Sequence, residues 1–210
     1  MAGKWHTQND APTVKDPTAD TFKITALPKT DIWRRTDDDD VFNAPMIYQK
    51  LKASDFKSIS VTIFAPWKTQ YDQGGLILAF PSESGDLKNS KWIKAGIEYH
   101  NNVSVLGIVG TDRYSDWSIA PMSQEHHQKA RLRFERDGQT LWIYGAQEKG
   151  EEKLGPMREV KWAFMEGRLE QEVWVGVYAA KPTTNDDDVE GEVGVEVTFS
   201  GLEVEVGGEE

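Results

Sequence analysis

Three side chains within one short stretch sit oddly for an ordinary strand. In Trp92-Ile93-Lys94-Ala95-Gly96-Ile97-Glu98-Tyr99 apolar residues recur at every second position, the period of a β-strand. Ile93, Ala95, Ile97 and Tyr99 then point one way, and Trp92, Lys94, Gly96 and Glu98 the other. The first set is a core face. The second puts an aromatic plate, a cation, a gap and an anion on one surface, and that surface is expected to be a hollow open to solvent. Glu172 to Ala179 repeats the theme, with Val173, Val175 and Val177 opposed to Trp174, Gly176 and Tyr178. Indole and phenol rings stack on the apolar faces of sugar rings, while charged and amide groups bond hydroxyls. Two loops are expected to reach the same hollow: Tyr71-Asp72-Gln73, ahead of a glycine-rich strand entry, and Ser115-Asp116-Trp117-Ser118. Arg133, opposed to Leu132 and Phe134, adds a further cation. The expected ligand-binding set is therefore Tyr71, Gln73, Trp92, Lys94, Glu98, Trp117, Arg133, Trp174 and Tyr178. A blander reading competes with it: Trp92 and Trp174 cover the sheet beneath a loop, and Lys94 and Glu98 belong to an ion-pair row.

Catalysis would need a partner for Glu98. Side chains four apart on a strand are roughly 13 Å from each other, whereas glycoside hydrolysis uses carboxyls about 5 to 9 Å apart. One strand cannot supply both acids, so the candidates are Glu98 with Asp72, Asp116 or Glu172 from neighbouring segments, and Lys94 to tune the proton affinity. Asp72 has a structural alternative as the residue that pins a turn through backbone amides. Ser115 lacks the Gly-x-Ser-x-Gly elbow of a hydrolase nucleophile. The histidines, His6, His100, His126 and His127, show no ligand spacing, and adjacent residues of a strand would face opposite ways, so no metal is expected. No phosphate loop or dinucleotide fingerprint calls for a cofactor.

The elements that must position these residues are strands. Alternating runs recur at 59–63, 75–80, 92–99, 103–109, 130–136, 140–144, 172–179, 192–199 and 202–206. Turn residues such as Asp137-Gly138 and Asn101-Asn102 separate them. Without helices to make crossovers the strands must pair antiparallel, which predicts an all-β, two-sheet sandwich. A single domain over 1–210 is expected, with its core at about 22–206 and a polar N-terminal arm over 1–20. The C-terminal runs carry plain acid on their outer face, Glu192, Glu196, Glu203 and Glu205, typical of a solvated sheet. Two acidic segments, Asp37 to Asp40 and Asn185 to Glu190, read as solvated loops without the spacing of a calcium loop.

The formal net charge of -11 argues against nucleic acid and anionic membranes as partners. There is no cysteine, hence no disulfide or thiolate. The polar start, Met1-Ala2-Gly3-Lys4-Trp5-His6, has no apolar leader, which predicts a cytoplasmic location.

Several strings resemble a known family: Thr30-Asp31-Ile32-Trp33, Tyr71-Asp72-Gln73-Gly74-Gly75-Leu76, the 92–99 octapeptide, Ser115-Asp116-Trp117-Ser118, Arg158-Glu159 and Gly176-Val177-Tyr178-Ala179-Ala180. In this order they are similar to the "regulation of enolase" family, a domain of unknown function in fungi and bacteria. The resemblance covers about Phe22 to Phe199. It implies a jelly roll of the concanavalin A-like lectin/glucanase type, whose concave sheet carries the matched polar residues. The leading expectation is an intracellular binding or regulatory module for a carbohydrate-like or other polar metabolite, linked to regulation of carbohydrate metabolism. The alternatives are a carbohydrate-active enzyme using Glu98 as acid or base, and a protein-interaction module with a partner in carbohydrate metabolism.

Overall fold

A computed structural model describes residues 3–82, 84–123, 128–147, 154–184 and 193–207. Among the described residues fifteen strands form two large antiparallel sheets and one small hairpin; the alternating pattern predicts this two-sheet sandwich, and the resemblance implies its jelly-roll type. The seven-stranded sheet runs β1 (Trp5–Gln8), β5 (Met46–Lys52), β14 (Glu172–Ala180), β7 (Gln73–Phe80), β8 (Lys91–His100), β9 (Val103–Thr111), β10 (Ser115–Pro121). The six-stranded sheet runs β13 (Gly155–Val160), β12 (Thr140–Gln147), β11 (Lys129–Asp137), β6 (Phe56–Phe64), β15 (Val195–Val206), β2 (Phe22–Ala26). The hairpin joins β3 (Ile32–Arg34) to β4 (Asp40–Phe42).

The main core fills the space between the sheets. Ile93, Ala95 and Ile97 meet Val173, Val175 and Val177 there, with Ile59, Val61, Ile63, Leu132, Phe134, Val197 and Phe199 from the other sheet. These are the odd or even members that period-two counting sends inward, so burial of apolar area fixes register throughout. Short 3-10 turns, Lys161–Phe164 and Arg168–Glu170, stand where Gly167 interrupts the nearest approach to a helical pattern.

Four details differ from the sequence-based expectation. Residues 5–8, expected in a loose arm, pair with β5 as an edge strand. The two C-terminal runs are one continuous strand, β15, whose pairing with β6 shifts between Ser200 and Glu203. Gly201 sits there at φ 58°, and the bulge moves the apolar face from Val197 and Phe199 to Leu202 and Val204. Val193 lies outside that strand and is exposed. The acidic loop at 37–40 is not all solvated either, because Asp40 forms a buried ion pair with Arg34 at 3.0 Å. The second acidic segment and His126 and His127 lie outside the described residues.

A second, smaller apolar cluster occupies the outer face of the seven-stranded sheet. Ile32 and Ala44 from the hairpin region pack on Met46, Ile77, Ala79 and Trp92, and Phe42 meets Trp92 edge-on at 6.4 Å. The hairpin is bolted down by Arg34: besides Asp40, it donates from Nη2 to Ser90 O at 2.7 Å and from Nη1 to Arg113 O at 3.2 Å. Asn89 N–H in turn donates to Asp40 at 2.7 Å. Part of the sheet face is thereby roofed, and only part is left open.

Candidate functional site

Cross-strand register assembles the open part. Gln73 pairs with Glu98, and Glu98 with Val105; Lys94 pairs with Ile77 and Val109; Trp117 pairs with Val109 from the edge strand. Between the Lys94 and Glu98 rows lie Gly75 and Gly96, opposite each other. Here β7 and β8 approach so closely that a Cβ on Gly75 would come within 2.0 Å of Ala95 O, and one on Gly96 within 1.9 Å of Gly74 O. Gly107 continues the row on β9 and leaves room for the Glu98 carboxylate. The result is bare backbone flanked by an ammonium and a carboxylate.

Around this floor is a hollow of about 330 Å³, lined by Asp31, Trp33, Arg35, Tyr71, Gln73, Lys94, Glu98, Val109, Trp117, Pro182 and Thr183. Lys94 and Glu98 are only 3% and 8% exposed, yet both border it. Lys94 Nζ donates to Gln73 Oε1 at 2.7 Å and to Asp31 Oδ1 at 3.4 Å, and stands 5.6 Å from the Tyr178 ring centroid and 5.7 Å from that of Trp92. The Gln73 oxygen is saturated, since Oε1 also accepts from Tyr178 Oη at 3.2 Å, and one of its two amide hydrogens donates to Tyr71 O at 3.2 Å. Gln73 therefore positions Lys94 and the Tyr71 loop and keeps little bonding capacity for a ligand.

Glu98 is the carboxyl whose proton affinity the hollow alters. Burial pushes its carboxyl up to about 7; Lys94 opposes the shift, Asp31 reinforces it, and the Trp117 indole N–H opposes it weakly. That indole nitrogen is buried and meets the carboxylate without ideal hydrogen-bond geometry. A donor in that position is available to an incoming hydroxyl. Burial, then Glu98 and Asp31, also raise the Tyr178 hydroxyl well above its ordinary value, so it stays neutral.

The walls are tied to one another. Tyr71 holds φ 67°, rare for a bulky residue, and is kept there by its N–H donating to Tyr99 O at 2.7 Å. Its ring leans on His100, which meets Trp117 edge-on at 5.1 Å. Lys181 N–H donates to Thr30 Oγ1 at 3.0 Å, while Thr183 Oγ1 donates to Gln70 O. The segments at 30–35, 69–73 and 181–183 thus brace each other before any ligand arrives.

Of the residues expected from sequence, Tyr71, Gln73, Lys94, Glu98 and Trp117 come together in this hollow. Four others do not line it. Trp92 is sealed beneath the hairpin, because Phe42 and Ile32 cover the ring that parity had placed on the open face. Trp174 lies further along the sheet, stacked on Tyr48 at 4.4 Å and donating to Glu172 at 2.7 Å. Tyr178 is buried behind Gln73 and acts through it. Arg133 belongs to the six-stranded sheet, on whose outer face it pairs with Glu135 at 2.8 Å.

The three additional acid candidates are also displaced, Glu172 standing with Trp174 away from the cavity lining. Asp72 is fully buried, paired with Lys181 at 3.2 Å and accepting from Thr69 N–H at 3.0 Å, which is the turn-pinning role. Asp116 is exposed and pairs across β10–β9 with Gly110, opposite in parity to Trp117, so its side chain leaves the hollow. The second acid is Asp31, whose side chain is 25% exposed. Sequence reasoning also missed Trp33 and Arg35. Their signal lay in the Thr30-Asp31-Ile32-Trp33 string, but nothing in strand periodicity says that a distant hairpin will fold over the sheet. Among the described residues no group of three or more His, Asp or Glu side chains could hold a metal ion. Nor is any helix long and apolar enough to cross a membrane.

Residues 7–206 match a protein family of unknown function, DUF1349. The chain belongs to this family. An uncharacterized protein of Emericella nidulans is 37% identical over 185 residues, covering 88% of this chain and 86% of its own. A functionally unknown protein from Saccharomyces cerevisiae, solved as a crystal structure, superposes with TM-score 0.71 at 23% identity over 99% of this chain and 97% of that one. A β-1,3-glucanase from Mycobacterium marinum superposes with TM-score 0.52 at 12% identity, over 99% of this chain and 92% of the other. At such identities the structural likenesses speak for the fold alone. This DUF1349 member therefore shares a glucanase-like sandwich, and what its hollow does must come from the hollow.

Proposed function

We propose that this chain is a binding module that holds a carbohydrate-like polar ligand in the hollow at Lys94 and Glu98, and that occupancy serves regulation of carbohydrate metabolism. The observation that carries the reading is the pairing of buried charge with aromatic walls. Lys94 and Glu98 are almost wholly withdrawn from bulk water, at a cost in desolvation, yet both border a preformed cavity flanked by Trp33, Tyr71 and Trp117. A ligand rich in hydroxyls would recover that cost: Lys94 and the Trp117 N–H donate, Asp31 and Glu98 accept, and the rings cover the apolar face of a sugar. The volume is at the lower end of the range of roughly 300–1,000 Å³ found for small-molecule sites.

A second reading has one observation in its favour. Asp31 and Glu98 border the same cavity, and Asp31 helps keep Glu98 protonated near neutral pH. A buried carboxyl that keeps its proton, with a second acid bordering the same cavity, is an arrangement that acid–base catalysis on a glycosidic bond uses.

The test is a calorimetric screen of hexoses, pentoses, uronates and their disaccharides against the wild-type chain, Glu98→Gln and Lys94→Met. The proposal expects at least one sugar to bind wild type, with loss of about tenfold or more in affinity for each variant. Equal binding by all three proteins would place the ligand elsewhere. Release of free sugar from the bound disaccharide, absent in Glu98→Gln, would promote the second reading.

A further inference from the structure

Resting on the carbohydrate reading, the shape of the hollow identifies which part of a glycan it takes. An open groove across a sheet accommodates the middle of a polymer, because the chain can enter and leave at both sides. Here the path along the seven-stranded sheet is interrupted. Toward Trp92 the way is filled by the hairpin, where Ile32 is fully buried and Phe42 abuts the indole. This roof cannot swing aside cheaply, since Arg34 and Asp40 anchor it by a buried ion pair and by bonds to Ser90, Arg113 and Asn89. Across the floor, Pro182 and Thr183 close the opposite wall, held by Lys181 against Thr30 and by Thr183 against Gln70. Beyond Glu98 the Tyr71 ring and His100 stand against Trp117. Each segment bounding the cavity is thus bonded to another segment bounding it.

We infer that the site takes a free sugar or the terminal unit of a glycan, one or two rings in size, and that it excludes the interior of a polysaccharide. The terminal ring lies between Lys94 and Glu98, against the Trp33, Tyr71 and Trp117 rings that line the cavity. Lys94 and Glu98 bond hydroxyls on its two sides, and any further units leave through the mouth past Arg35 and Thr183. Among the described residues nothing at the mouth grips a third ring.

The experiment is a length series on the full chain: β-1,3- and β-1,4-linked gluco- and xylo-oligosaccharides from one unit to six, together with the parent polymers, titrated by calorimetry. Affinity is expected to level off by the disaccharide, changing by less than about threefold from two units to six. Affinity that climbs about tenfold or more between two units and six, or binding confined to polymers, would overturn this inference while leaving the carbohydrate reading in place. Failure of every sugar to bind would overturn the carbohydrate reading itself, and the inference with it. Two rim variants on opposite sides of the mouth, Thr183→Trp and Arg35→Trp, test the placement. Each should weaken the disaccharide by about tenfold, Arg35→Trp without lowering the midpoint of thermal unfolding, and unchanged affinity in both would contradict the placement.

Discussion

The outward faces of the two sheets are written in the same alphabet and do opposite things. On the six-stranded sheet Arg131 meets Glu203 at 3.5 Å, and Arg133 meets Glu135 at 2.8 Å and Glu205 at 3.7 Å, all with water at hand. On the seven-stranded sheet Lys94 meets Asp31 and Gln73 in a cavity, with only 3% of its surface exposed. Pairs of the first kind contribute little to stability, because water competes for each partner and salt screens the attraction. Charges of the second kind are costly to leave unpaired, which is why the sheet beneath them is committed to a few bonding arrangements. The lesson is that alternation tells which side chains share a face, whereas what folds across that face decides whether a charge is ornament or site.

Breaking a buried pair should have the largest effect. Asp72→Ala strands the Lys181 ammonium, itself 1% exposed, beneath the 69–73 turn. It is expected to cost about 3–5 kcal/mol in denaturant unfolding, and the loss should be accompanied by weaker sugar binding because Tyr71 and Gln73 leave their places.

Glu98→Gln sharpens the contrast in the other direction. Below the ordinary carboxylate range both the folded and the unfolded chain hold the proton. Between there and about pH 7 only the folded chain holds it, so stability falls as pH rises through that window and levels off above it. The glutamine variant lacks this slope. It should be more stable than wild type at pH 8 by about 2–3 kcal/mol, with the difference shrinking toward pH 5, as read by urea unfolding at several pH values. A parallel pH dependence in both proteins would show that Glu98 titrates normally.

Arg133→Ala is the small-effect control. Its pairs with Glu135 and Glu205 are partly solvated, so the loss should stay below about 1 kcal/mol, fade in high salt, and leave sugar binding untouched. A fall in affinity would return this residue to the site.

These contrasts show what the sequence could reveal. Two-residue periodicity gave the strands, the sandwich and the common face of Trp92, Lys94 and Glu98, because burial of one face leaves register no freedom. It also put Tyr71, Gln73 and Trp117 near that face, although Gln73 opens β7 and Trp117 stands within edge strand β10 where loops were expected. It misplaced Arg133, because Leu132 and Phe134 establish an inner and an outer side without saying which sheet owns them. It overvalued Trp92, since a ring roofed by Phe42 and a ring stacked on a ligand have the same spacing. Asp31, Trp33 and Arg35 were out of reach for a related reason: the β3–β4 hairpin crosses the sheet by long-range bonds from Arg34 and Asp40, and no local pattern encodes its destination.

The central claim is that the hollow at Lys94 and Glu98 is the ligand site and the roofed end of the sheet is not. With eight tryptophans in the chain, their indole N–H signals in a two-dimensional NMR spectrum report on both ends at once. During titration with the hexose, pentose and disaccharide panel, the Trp33 and Trp117 signals are expected to shift with at least one sugar while those of Trp92 and Trp174 hold still. Shifts at Trp92 or Trp174 with Trp33 and Trp117 unmoved, or no indole shift with any member of the panel, would contradict the account.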